Sequence, residues 1–153
     1  MELPRILKEV HSTPTFKRYE ETNVRNNTNC YSHALGTTQM IRVGQISKKK
    51  DTNEKYISFE EIIELLIADL ESLNLQLEES SVEEKISENQ YKIALFVKKW
   101  SNGEIADYHF WRCDNEIWTE KWKGRYMNEI EDFERDSKDT NLRTLIGVYK
   151  ITR

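Results

Sequence analysis

Apolar positions in this chain follow two different periods. From Ser58 to Leu73 they recur every three or four residues: Phe59, Ile62, Ile63, Leu66, Ile67, Leu70 and Leu73 stack on one face of a helix. Ser58 and Glu61 stand ahead of that run as an S-x-x-E capping box, in which each side chain satisfies a free N–H of the first turn. The pattern predicts one long amphipathic helix ending near Leu73. Ser81 with Glu84 predicts a second, shorter helix near Val82 to Glu88. Beyond it the character changes to sheet. Tyr91 to Trp100 is rich in β-formers, Asn102-Gly103 is a turn, and Asp107 to Cys113 is the next strand. Asp114-Asn115 then turns into Ile117 to Trp122, and Leu142 to Ile151 closes the sheet. On the N-terminal side, Met1 to Asn27 is polar and without period, an irregular lead-in with a short helical turn at Pro4 to Val10. Cys30 to Leu35 reads as a short helix stopped by Gly36. Gln39 to Lys55 reads as loop. Helices first and an antiparallel meander afterwards define an α+β class.

Length changes that picture little. At 153 residues the chain suffices for a single domain, residues 1–153, with the lead-in at 1–27 and the core at 28–153. A third of the residues are charged, but four Trp, seven Tyr and five Phe supply the aromatic mass of a folded core. The net charge of −4 speaks against a general nucleic-acid binder, and Lys48-Lys49-Lys50 reads as a solvated loop. Met1 to Ile6 holds no apolar stretch of signal-peptide length, and no later run would span a bilayer. The expectation is therefore a cytoplasmic protein with no membrane and no nucleic-acid partner. In that compartment the two cysteines, Cys30 and Cys113, are expected as free thiols.

The candidate chemistry lies in two segments. Thr28-Asn29-Cys30-Tyr31-Ser32-His33-Ala34-Leu35-Gly36 puts a cysteine at the start of a helix, where free N–H groups and the macrodipole favour a thiolate. Ala106-Asp107-Tyr108-His109-Phe110-Trp111-Arg112 puts a histidine in mid-strand, where it can serve as general base to a thiol. Alternation places His109, Trp111 and Cys113 on one strand face and Tyr108, Phe110 and Arg112 on the other. The reading sets His109 opposite the helix that begins with Cys30. A third member should accept the second imidazole N–H. Glu120, on the following strand, is preferred over Asp114 and Asn115 in the turn, and over Asp107, roughly 7 Å from His109 along its own strand. Asn29 or Asn27 could add an oxyanion donor, although an asparagine before a helix commonly serves as its N-cap. His33 lies one turn after Cys30 as a cleft residue or alternative base. Trp100, Trp111, Trp118 and Trp122 are core and sheet-face aromatics first, a substrate wall second. Zinc could use Cys30, His33, His109 and Cys113, but on a strand His109 and Cys113 are about 13 Å apart, too far for one tetrahedral ion. No metal and no cofactor is expected.

Asn29-Cys30-Tyr31 with Ala34-Leu35, then Asp107-Tyr108-His109-Phe110-Trp111-Arg112, then Trp118 and Lys121 with Gly124, resemble a group of small bacterial and phage-borne proteins. Those carry N-C-Y-x-x-A-L and D-Y-H-aromatic-aromatic-R elements followed by W-x-H-K-x-G, and look like distant members of the papain-like, NlpC-type cysteine hydrolases. The resemblance runs from Asn29 to Gly147-Val148-Tyr149. It implies a papain-like core, with Cys30 as nucleophile and His109 as base. Where the group often has histidine before the lysine, this chain has Glu120, and Trp122-Lys123-Gly124 replaces the group's Pro-Gly.

Two functional expectations follow. One is a thiol hydrolase acting on an amide bond of a peptide or protein substrate: Cys30, His109 and Glu120 catalytic, with Asn29, Asn27, His33, Trp111 and Tyr108 around the oxyanion or substrate. The other is a non-catalytic binding or inhibitor module on the same fold, directed at a protein target.

Overall fold

The computed structural model describes Pro14 and residues 21–51, 54–138 and 140–153; the helical turn expected at Pro4 to Val10 lies outside them. Four helices are described: α1 (Thr22–Asn26), α2 (Cys30–Leu35), α3 (Phe59–Glu71) and α4 (Phe133–Asp136). Six strands accompany them: β1 (Gln76–Ser80), β2 (Gln90–Lys99), β3 (Ile105–Asp114), β4 (Ile117–Lys121), β5 (Met127–Ile130) and β6 (Thr144–Thr152). They form one antiparallel sheet in the order β1-β6-β2-β3-β4-β5, so the class is α+β. Only β2 to β5 make a meander. The closing strand β6 returns between β1 and β2, which corrects the simple meander expected from the chain order.

Local chemistry accounts for the element ends. Asn29 caps α2: its Oδ1 accepts from Ser32 N and Ser32 Oγ, both at 2.8 Å, and Ser32 Oγ in turn accepts from Asn29 N. Gly36 ends the helix in the left-handed region at φ 77°, a conformation open to glycine without steric cost. Ser58 Oγ caps α3 by accepting from Glu61 N at 3.1 Å, while the Glu61 carboxylate reaches past the cap to Ile57 N. The predicted helix at Val82 to Glu88 is absent. Ser81 Oγ does accept from Glu84 N, but the ammonium of Lys92 takes the carbonyls of Ser81, Val82 and Glu84, so those acceptors are lost to a helix. Strands β1 and β5 and helices α1 and α4 were not predicted. The segments Gln76–Ser80 and Met127–Ile130 are short and polar, and their extended form comes from pairing with β6 and β4.

The sheet has two covered faces. On one, α2 and α3 pack Tyr31, Leu35, Ile62, Leu66 and Leu70 against Ile93, Leu95, Phe110 and Ile151. Full burial of each such side chain contributes about 1.5–3 kcal/mol. On the other, Ala94, Phe96, Trp111, Cys113, Trp118 and Val148 form a smaller cluster covered by Phe133 of α4. The buried face of α3 is Ile62, Leu65, Leu66, Asp69 and Leu70, rotated slightly from the predicted stripe, so Ile67 is 37 % exposed. Trp100, expected in the sheet face, is exposed at the strand end. No helix among the described residues is long and apolar enough to cross a membrane.

Candidate active site

Arg112 Nη1 donates to Ala34 O at 3.1 Å, and the Phe110 and Tyr31 rings lie 5.5 Å apart. These contacts fix which side of β3 meets α2: the side carrying Tyr108, Phe110 and Arg112. His109, Trp111 and Cys113 point to the opposite side, which corrects the expectation that His109 faces the Cys30 helix across the sheet. Cys30 meets β3 instead at an open strand edge. Strand β4 pairs with β3 only from Trp111 to Asp114, so the stretch before Trp111 has no β4 partner. Cys30 occupies that gap. Its Sγ lies 3.8 Å from Tyr108 O, and the N–H groups of Phe110 and Tyr31 point at the sulfur. The sulfur therefore touches the main chain on both sides of His109.

His109 is fully buried and held from two directions. Its Nε2 lies 3.0 Å from Glu120 Oε1, and its ring stacks on Trp122 at 3.6 Å between centroids and 5° between planes. Its Nδ1 is buried with no hydrogen-bond partner among the described residues. Burial pushes the His109 pKa below its ordinary value, while the Glu120 contact works the other way. Burial also pushes the Cys30 thiol up to about 12, against the pull of the Phe110 and Tyr31 N–H groups. The thiolate favoured by helix position is thus outweighed here: α2 has six residues, a short dipole, and the sulfur is desolvated.

Cys30, Tyr108 and His109 line one cavity of about 500 Å³, with Tyr56, Lys121 and Trp122 among the other walls. Lys121 is completely buried. Its ammonium donates to Arg25 O at 2.9 Å, to Trp122 O at 2.8 Å and to Thr28 O at 3.4 Å, tying the segment ahead of Cys30 to the end of β4. Nearby, the Asp107 carboxylate pairs with the Arg143 guanidinium, which also lies 4.8 Å over the Trp122 ring.

The remaining expected site residues are dispersed. Asn29 lines the cavity, but its Oδ1 caps α2 and its Nδ2 donates to Ile41 O at 2.8 Å, so it is not placed as an oxyanion donor. Asn27 is exposed and turned back onto Asn23 O. His33 is buried outside the cavity with Nε2 2.9 Å from Thr119 Oγ1, and burial takes its pKa down to about 3, which removes it as an alternative base. Trp111 packs on Phe96 and Phe133 rather than on the cavity. Tyr108 is a wall residue, edge-on to Tyr56. Among the described residues no three metal-ligating side chains gather. Cys113 is buried on the far face, and both thiols are free.

Lys121 and the Phe110 N–H are not among the expected site residues. Trp122, expected as a core aromatic first and a substrate wall second, lines the cavity and stacks on His109, and period two along β4 explains it by placing Trp122 on the same face as Glu120. Compared with known protein families, curated proteins and solved structures, the chain matches none of them.

Proposed function

We propose that the chain is a papain-like thiol hydrolase that cleaves or modifies an amide bond, with Cys30 as nucleophile, His109 as base and Glu120 as its orienting carboxylate. One observation carries the reading. His109 has Nε2 committed to Glu120 and Nδ1 buried without a partner among the described residues, while the Cys30 sulfur lies against the main chain on either side of that histidine in a shared cavity. An imidazole fixed in this way presents one basic nitrogen and has its tautomer set by the other.

In the reaction, Cys30 Sγ attacks the substrate carbonyl carbon as its proton passes to His109 Nδ1. Because burial disfavours a standing thiolate, proton transfer and attack occur together. The oxyanion is met by main-chain N–H groups at the start of α2. The C–N bond then breaks, His109 returns the proton to the leaving amine, and a thioester remains on Cys30. Water hydrolyses it with His109 again as base. Glu120 stabilises the imidazolium that forms in each half.

The high thiol pKa favours a second reading, a binding module that keeps the fold without turnover. Incubation with a proteome-derived peptide library, read by mass spectrometry, separates the two. New termini or Gln-to-Glu conversions made by the wild type and lost in Cys30→Ala support the hydrolase. No Cys30-dependent product, together with full biological effect of Cys30→Ala, establishes the module.

A further inference from the structure

We infer that this cavity takes a substrate carrying negative charge beside the scissile amide, an acidic peptide segment. The inference rests on the hydrolase reading above and concerns its specificity. The chain as a whole is acidic, at −4. The cavity is lined by the opposite balance: four cations, Arg42, Lys55, Lys121 and Lys123, against two carboxylates, Glu54 and Asp107.

Both carboxylates have a cationic neighbour outside the lining. Asp107 pairs with Arg143, and Glu54 lies 3.6 Å from Lys50 Nζ, which it shares with Glu61 at 3.0 Å. Two of the cations serve the fold: Lys121 binds three carbonyls, and Arg42 donates to Asp51 O and Glu54 O while lying over the Tyr56 ring. Lys55 and Lys123 differ. They flank the cavity from two separate segments, are exposed, and make no ion pair among the described residues. Among the described residues, no carboxylate offsets their charges at the cavity that holds Cys30. In a cleft with low-dielectric walls such a pair concentrates anions and repels cations.

Alkylation of Cys30 by two probes of like chemistry and different charge tests this. Iodoacetate and iodoacetamide are each reacted with the full chain, and the ratio of their rates at Cys30 is compared with the same ratio for 2-mercaptoethanol. The expected ratio at 10 mM salt exceeds that of the free thiol roughly three- to tenfold, and it falls toward the reference at 1 M salt, where the Debye length is about 3 Å. In Lys55→Glu with Lys123→Glu the preference reverses. A ratio equal to the reference at every salt concentration overturns the inference, as does a raised ratio that the double variant leaves intact. Because a protonated His109 beside the sulfur would itself attract iodoacetate, the charge preference that counts is the part lost in Lys55→Glu with Lys123→Glu. A charge preference with no effect of His109→Ala on the iodoacetamide rate would reject the hydrolase and keep an acidic ligand. A His109-dependent rate with no charge preference would do the reverse.

Discussion

His33 and His109 are both buried but are treated differently by their surroundings. His109 has a carboxylate beside it, and His33 has a hydroxyl. Both are pushed toward the neutral form by burial, but Glu120 partly restores the basicity of His109. In Glu120→Gln the hydrogen bond can persist while the charge is gone. The His109 titration, followed by NMR of the ring protons, should then move further below its wild-type midpoint; an unchanged or raised midpoint would show that Glu120 does not act on the ring. For His33 the consequence is a stability effect. Its folded pKa of about 3 lies below the unfolded value near 6.5, so the unfolded state binds the extra proton between them. Stability is full above pH 6.5 and is lost as pH falls toward 3, at about 1.4 kcal/mol per unit from this group. Urea unfolding at pH 7, 5 and 4 should show that loss in the wild type and a shallower one in His33→Gln. Equal slopes would contradict the assignment.

At the scale of elements, the six-residue α2 depends on its ends. Asn29 accepts two hydrogen bonds from Ser32 and anchors Ile41 O, so Asn29→Ala should lower stability by about 1–2 kcal/mol in urea unfolding. Because the cap residue precedes Cys30 directly, the same variant should also slow Cys30 alkylation; a stable variant with the wild-type rate would show that the cap does not position the sulfur. Elements of this kind were legible where the code is local. The Ser58 cap, Gly36, the Asn102-Gly103 turn and the long β-rich runs of β2, β3 and β6 all follow from a few neighbouring residues. Strands β1 and β5 were not legible, because Glu78, Glu79 and Asn128 carry no β pattern and take their form from the strands they pair with. The helix expected after Ser81 failed for a comparable reason: Lys92, eight to eleven residues away, claims its carbonyls.

Across the whole molecule, the site depends on where two faces of the sheet meet. Alternation along β3 put His109 and Tyr108 on opposite faces correctly, but no single-strand pattern tells which face α2 covers. That is decided by long-range contacts: Arg112 with Ala34 O, Tyr31 with Phe110, and the Tyr31 hydroxyl with the buried Asp69 of α3. The end of β4 at Lys121 then leaves open the edge of β3 on which the Cys30 sulfur rests. The central claim is that His109 governs the chemistry of Cys30, and the pH dependence of Cys30 alkylation by iodoacetamide tests it most directly. A thiol with a pKa near 12 and no base should react about tenfold faster per pH unit from pH 7 to 10, in proportion to its thiolate. The wild type should instead step up below pH 6.5, as His109 becomes neutral, and stay level from pH 7 to 9, with the tenfold-per-unit rise appearing in His109→Ala. A wild type that already shows that rise, or a His109→Ala profile identical to it, would contradict the account.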